Sequence, residues 1–234
     1  MKFSGLVLAG LFILLSVSAR AETTLATLTT DSSAGSVKYQ VPGATTFKDL
    51  GWMEVVKVPT GTIVKTNADG IGHLEVFPGG KLVIMPDTTM TIGSLGVDTQ
   101  GDKIAKRTGQ INLAVGTLKA LLNHKGDNTS PIDFSVKTPT CVAAARGTKY
   151  VTAVVNGVTY VEVLEGNVSA GGISIGAGEI GFVGTNGKGV VTPPDKVPPG
   201  VLLALNAAIA AGQIQTNSTV DTSDSSTQSA HTGP

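Results

Sequence analysis

Short apolar stretches separated by small, turn-forming residues run along most of the chain, which is the pattern of β-strands. Val37, Tyr39 and Val41 alternate with polar neighbours, as one face of a half-buried strand does. Residues 73–77 and 82–85 form further short apolar runs, with a Pro-Gly-Gly turn between them. Because such runs recur about every 8–12 residues, we predict an all-β domain of many short strands, either solenoid-like or sandwich-like.

The N-terminal segment breaks this pattern and has the features of a secretion signal. Lys2 precedes the apolar residues 6–17, and small residues surround a cleavage site after position 21. The apolar run is shorter than the roughly 20 residues that a membrane-spanning helix needs. We therefore predict a cleavable signal peptide at residues 1–21, no stable membrane span after cleavage, and a periplasmic or secreted mature chain.

The C-terminal segment also departs from the strand pattern. A Pro-rich linker leads to residues 201–214, whose apolar side chains predict one stripe of a short helix: Leu202, Leu203, Leu205, Ala208 and Ile209. Residues 216–234 are rich in Ser, Thr, Asp and Gln, so we predict a disordered polar tail. The β domain is expected at residues 22–192, and the linker and helix at residues 193–215.

The charge pattern argues against nucleic-acid binding. Charged residues make up 15% of the chain and the formal net charge is +0, whereas a phosphate-binding surface needs clustered Lys and Arg. The nearest approach to a basic cluster is Lys103, Lys106 and Arg107, whose spacing we interpret as a solvated turn. No nucleic-acid partner is predicted.

The chemistry-bearing residues do not form a recognisable catalytic or metal-binding pattern. The three histidines lack metal-ligand spacing, and the single cysteine, Cys141, lies in an apolar run where packing is the expected role. The carboxylates are scattered through strand-like segments, without a spacing typical of glycoside hydrolysis: Glu75, Asp87, Asp133, Glu162, Glu165 and Glu179. We predict no catalytic, metal or cofactor-binding residues.

Residues 138–150 stand out because they place one arginine among small apolar residues. A buried cation needs a fixed partner, since an unpaired buried charge is very costly. We therefore predict that Arg146 is buried and that its guanidinium bonds several backbone carbonyls or a carboxylate. Glu162 and Glu165 are the candidate carboxylates once the following hairpin folds back. Pro139 belongs at an edge or corner because it lacks a backbone N–H.

The order of these residues resembles the signature of FecR-type domains. The resemblance rests on residues 134–139, 143–151 and 161–168, and it extends over residues 24–191. It implies an all-β domain without catalytic residues, similar to the periplasmic sensing domain of the ferric-citrate regulator. The motif that it implies is structural and comprises Thr138, Pro139, Arg146, Gly147, Thr148, Glu165 and Gly166.

The ends of the chain differ from those of that regulator. In the regulator, the sensing domain follows a cytoplasmic segment that binds a sigma factor and one membrane helix. A small domain that contacts the signalling module of an outer-membrane transporter comes after it. Because a cleavable signal stands at the start of this chain, we expect a stand-alone exported form without direct sigma-factor contact.

Two functional interpretations follow from the sequence. The first is a non-catalytic sensory or scaffold module of the cell envelope, which binds an unidentified envelope protein or a glycan. The second is a secreted polysaccharide-active enzyme on a β-solenoid, which predicts aromatic residues clustered beside paired carboxylates. The chain has one Trp and three Tyr, namely Trp52, Tyr39, Tyr150 and Tyr160. Because so few of these residues are available to line a substrate groove, the binding module is favoured. A protein partner could add a strand to an exposed sheet edge, which leaves no sequence motif.

Overall fold

The computed structural model describes residues 24–123 and 130–211, which form seventeen strands, a 3₁₀ turn and one α-helix. The predicted signal peptide and polar tail lie outside these residues. The strands are β1 (Ala26–Thr30), β2 (Val37–Gln40), β3 (Lys48–Asp49), β4 (Val55–Val58), β5 (Ile63–Thr66), β6 (Gly72–Phe77), β7 (Gly80–Ile84), β8 (Thr89–Gln100), β9 (Lys103–Leu122), β10 (Ile132–Lys137), β11 (Val142–Arg146), β12 (Lys149–Val155), β13 (Val158–Glu165), β14 (Asn167–Ala170), β15 (Ile173–Gly176), β16 (Ile180–Val183) and β17 (Gly189–Thr192). The 3₁₀ turn is Pro194–Lys196, and the helix α1 is Pro199–Ala211.

The strands form two sheets that share β9. One sheet has the order β4-β1-β6-β7-β9-β12-β13-β16-β17, and we call it the helix-side sheet. The other has the order β3-β2-β5-β8-β9-β10-β11-β14-β15, and we call it the open sheet. Neighbouring strands are antiparallel except β9 and β10, which are parallel.

Strand β9 is long enough to belong to both sheets. Its first part pairs with β8 from Lys103 to Val115, and its last part pairs with β12 from Gly116 to Leu121. The change of sheet occurs at Gly116, whose φ of 97° lies in the region that favours glycine. A Cβ at this position would overlap Thr88. Gly116 therefore lets one strand bend from the open sheet into the helix-side sheet.

The inward faces of the two sheets enclose one apolar core. The helix-side sheet contributes Leu28, Leu74 and Ile84, and the open sheet contributes Ile111 and Phe134; each of these side chains is almost fully buried. Complete burial of such a side chain is worth roughly 1.5–3 kcal/mol relative to exposure. The prediction of an all-β domain with one short C-terminal helix is confirmed, and the packing is that of a sandwich.

Helix α1 covers part of the outer face of the helix-side sheet and forms a second core there. Val201, Leu205 and Ala208 are its buried residues, and they pack with Val151 and Tyr160 among others. The predicted stripe is correct for Leu205 and Ala208. It is wrong for Leu203, which is 72% exposed, because the helix begins at Pro199 and Val201 takes the inward position.

The buried arginine of this protein is Arg107, and the interpretation of its segment as a solvated turn is wrong. Its guanidinium donates from Nη1 to the Pro78 carbonyl (2.6 Å) and from Nη2 to the Ser130 carbonyl (2.7 Å). Gly79, with a φ of 82°, leaves room for it, because a Cβ there would lie 2.8 Å from Nη1. Arg107 thus fixes the β6–β7 turn to the segment that precedes β10.

The prediction that Arg146 is buried is also wrong. Its side chain is 80% exposed, and its Nε donates to Asp133 Oδ1 at 3.0 Å. Strand β11 points Ala143 and Ala145 into the core and Arg146 to solvent. The predicted partners lie elsewhere: Glu165 forms an ion pair with Lys149, and Glu162 lies on the opposite face of the sandwich.

The two arginines make a matched pair for a stability measurement. Arg107→Met removes two charge-assisted hydrogen bonds, each worth about 1.5–3 kcal/mol, so we expect urea unfolding to show a loss of roughly 3 kcal/mol or more. Arg146→Met removes an exposed ion pair and should cost less than about 1 kcal/mol. Equal losses in the two variants would contradict the assignment of Arg107 as the structural arginine.

Candidate functional site

The motif residues near Thr138 connect the two sheets through hydroxyl groups. The Thr138 hydroxyl donates to the Cys141 carbonyl (3.1 Å) and accepts from the Thr159 hydroxyl (2.7 Å). Thr140 hydrogen-bonds Thr159 at 2.7 Å and donates to the Val183 carbonyl at 3.3 Å. Since Thr159 and Val183 belong to the helix-side sheet, the β10–β11 turn of the open sheet is attached to the opposite layer.

The remaining motif residues lie where the chain passes between the sheets. Gly147 (φ 58°) leads from β11 to β12, and Gly166 (φ 86°) leads back from β13 to β14. The buried Thr148 hydroxyl donates to the carbonyls of Arg146 (3.1 Å) and Asn167 (3.2 Å). A Cβ on Gly166 would lie 3.1 Å from that hydroxyl. Thr148 therefore holds the β11–β12 and β13–β14 connections next to each other.

Asp133 is the centre of an exposed charge cluster on the open sheet. Lys106 lies 2.9 Å from its Oδ2, and Arg146 lies 3.0 Å from its Oδ1. The pKa of the Asp133 carboxyl lies below its ordinary value. The main cause is the hydrogen bond from Lys106, and the hydrogen bond from Arg146 acts in the same direction. The carboxylate and the two cations form an exposed ion-pair network at a sheet surface, which is an ordinary solvated arrangement.

A comparison with protein families finds that residues 62–169 match the family described as FecR protein. The chain contains a FecR-type domain. The matched segment runs from just before β5 into β14 and contains the Thr138, Thr148 and Gly166 contacts described above. FecR domains form a family of sensory and regulatory modules of the cell envelope. No curated protein matches the chain.

The aromatic residues named for the enzyme interpretation do not share one surface in the described part of this FecR-type protein. Tyr150, Tyr160 and Tyr39 are buried, in two different cores. Trp52, in contrast, is 68% exposed. Within residues 24–123 and 130–211, no group of three His, Cys, Asp or Glu side chains could hold a metal ion. Across the same residues, no helix is long and apolar enough to span a bilayer.

The most exposed apolar cluster is a corner that the sequence analysis did not single out. We call Trp52, Met53 and Val55 the Trp52 corner; their exposed fractions are 68%, 63% and 65%. The corner joins β3, an edge of the open sheet, to β4, an edge of the helix-side sheet. Clusters of exposed large apolar side chains commonly mark interaction sites, and Trp is the residue type most enriched in binding hot spots.

The backbone holds the Trp52 corner in a defined shape. Leu50 is fully buried, and the Met53 amide donates to the Thr30 carbonyl at 3.0 Å. The Gly51 amide donates to the Glu54 carboxylate at 2.7 Å. Met53 has a φ of 57°, which is uncommon for a residue with a side chain. These contacts present the apolar side chains on a fixed turn, so less ordering entropy opposes binding.

A cleft lined by both polar and apolar side chains lies on the helix-side sheet, near the Trp52 corner. It has a volume of about 370 Å³ and lies between Thr29, His73, Lys81 and the end of α1 at Ala211. Thr29 pairs with Val55 on one side and with His73 on the other. Strand β1 therefore separates the Trp52 corner from the cleft by a single residue, Thr29.

Two ionisable side chains lie beneath or beside α1. The Lys119 ammonium donates to the Ile209 carbonyl at 2.7 Å, so a cation stabilises the C-terminal turn of the helix. Burial, and secondarily the nearby Lys149, lowers the pKa of Lys119. Glu162 is half-buried, and its Oε2 has no hydrogen-bond partner in the described residues. Burial raises the pKa of the Glu162 carboxyl.

Replacing Thr148 tests whether its hydroxyl stabilises the β11–β12 and β13–β14 connections. Thr148→Val keeps the side-chain volume but leaves the Arg146 and Asn167 carbonyls without this donor, so we expect a loss of about 1–3 kcal/mol in chemical unfolding. Thr99→Val, at an exposed position in β8, is the control and should change stability by less than about 0.5 kcal/mol. If Thr148→Val leaves the free energy of unfolding unchanged, the stabilising role of the Thr148 hydroxyl is contradicted.

Glu162 predicts a pH dependence of stability. Because its folded-state pKa is raised, the folded state binds more protons than the unfolded state between the two pKa values, and stability falls as pH rises through that interval. We expect Glu162→Gln to be more stable than the wild type near neutral pH, by on the order of 1 kcal/mol. The gain should shrink below about pH 4, where the unfolded-state carboxyl is also protonated. Guanidinium unfolding from pH 3 to pH 8 measures it; a pH-independent difference would contradict the explanation.

Proposed function

We propose that this FecR-type protein is an exported, non-catalytic sensory or scaffold module of the cell envelope that binds a protein partner at the Trp52 corner. The N-terminal sequence supports export to the periplasm or beyond. The family supports an envelope role. The observation that carries the proposal is the group of three adjacent, exposed apolar side chains at the free edge of the helix-side sheet.

A protein fits this corner better than a glycan does. Glycan sites commonly stack sugar rings on several aromatic side chains, whereas the three tyrosines are buried and Trp52 is the one exposed aromatic side chain in the described residues. Protein interfaces instead use one central Trp with apolar neighbours and a polar rim. Met53 and Val55 supply the apolar neighbours, and the Thr29–Lys81 cleft supplies polar groups beside them. The absence of an aromatic groove in the described residues also weakens the support for a polysaccharide-active enzyme.

Photo-crosslinking in the native cell tests the proposal. A photoreactive residue at position 55 should join the protein to one envelope protein, which mass spectrometry identifies. The same residue at position 190, on the opposite edge strand β17, is the matched control, since Val190 is also about half exposed. Trp52→Ala should weaken the captured complex by about 2 kcal/mol or more, roughly 30-fold, without loss of stability because the side chain is exposed.

Two results would contradict the proposal. The first is crosslinking to the same protein with equal yield from positions 55 and 190, because it would show no preference for the corner. The second is a Trp52→Ala variant that captures the partner as well as the wild type does. A glycan found bound at the corner by crosslinking would replace the protein partner.

A further inference from the structure

Strand β4, which lies next to the Trp52 corner, is an edge strand with one side available for pairing in the described residues. Strand β4 pairs with β1 from Val55 to Val58, and in the described residues no strand pairs with its other side. Alternate backbone N–H and C=O groups of an edge strand face outward without a strand partner. Since β1 is itself paired with β6, this edge strand is held in place by the rest of the sheet.

The side chains of β4 define what such a strand would meet. Val58 is fully buried and Val56 packs against the core, so these two face inward. Val55 and Lys57 are exposed and lie on the outer face, opposite Thr29 and Thr27. Lys57 forms no ion pair with an acidic side chain in the described residues. Directly opposed side chains in antiparallel strands are close enough to contribute to pairing.

We propose that the partner of this protein presents an extended segment that pairs antiparallel with β4, as a tenth strand of the helix-side sheet. The segment carries a carboxylate opposite Lys57 and an apolar side chain opposite Val55, two positions further along. Backbone hydrogen bonds supply most of the attraction in this mode of recognition, and the alternate side chains supply the specificity. This inference rests on the proposed function and specifies the chemistry of its partner.

A second copy of the chain fits this edge less well. A lysine on an edge strand opposes pairing with a strand that cannot neutralise it. Within β4 and the residue that precedes it, the one carboxylate is that of Glu54, which already accepts a hydrogen bond from Gly51 and lies on the opposite face from Lys57 by strand alternation. Pairing of two β4 strands therefore leaves both lysines without a carboxylate, and a foreign acidic segment is the better complement.

Trp52 is the single tryptophan of the chain, so its fluorescence reports binding at this edge directly. The probe is a short N-acetylated peptide of threonine and valine, with glutamate opposite Lys57 and valine opposite Val55 and Val56. Its binding should shift the Trp52 emission to shorter wavelength. A peptide with glutamine in place of glutamate should bind about two- to fivefold more weakly, the range of one cross-strand pair.

Charge reversal and backbone methylation separate the two parts of the proposal. Lys57→Glu should invert the preference, so that a lysine-bearing peptide binds more tightly than the glutamate-bearing one. Of two peptides N-methylated at alternate positions, only the one whose methyl groups face away from β4 should bind. The variant Val190→Lys, on the edge strand β17, is the control and should leave every peptide affinity unchanged.

Equal binding of the glutamate and glutamine peptides to the wild type would overturn the charge assignment. Binding of both methylated peptides, or no emission shift at millimolar peptide, would overturn strand addition. If crosslinking at position 55 still captures an envelope protein, the proposed function stands and only this inference fails. If crosslinking also fails, both are overturned.

Discussion

The passage of β9 from one sheet to the other is the constraint on which the rest of the fold depends. In a β-sandwich, side chains from the two inner faces interdigitate and hold the sheets together. Here the two sheets are also continuous through backbone hydrogen bonds, because residues on either side of Gly116 pair with different neighbours. The bend must occur at a residue that tolerates a positive φ and has no Cβ, and Gly116 meets both conditions. Thr148 and Thr159 then join the sheets at two further points.

The fold class could be read from the sequence because it depends on local alternation and turn residues. The choice between solenoid and sandwich could not, because it depends on pairings between strands far apart in the chain. Lys119 is an example. The sequence around it predicts a strand, but no neighbouring residue indicates that its ammonium lies against the helix terminus at Ile209. Such contacts join residues 90 positions apart.

The two arginines show why single residues were harder to predict than the fold. A strand among small residues has two possible registers, and a shift of one position exchanges the buried and exposed faces. Arg146 follows three alanines, but alternation along β11 points it outward. Arg107 lies beside Lys106 in a polar segment, and its burial depends on the Pro78 and Ser130 carbonyls, which come from distant turns. Bonding of a guanidinium to backbone carbonyls was expected for Arg146. It is found instead at Arg107.

The separation between the family-matched segment and the Trp52 corner bears on how this protein acquires its specificity. Residues 62–169 contain the shared strand β9, the buried Arg107 and the threonines that connect the sheets. Residues 52–58 lie before that segment, on strands that pair at the periphery. Changes at this edge alter one strand and one turn, whereas changes within the matched segment disturb contacts between the sheets. A surface with these properties can change its partner without changing the fold that supports it, which agrees with the proposed recognition at β4 and with a stabilising role for β9.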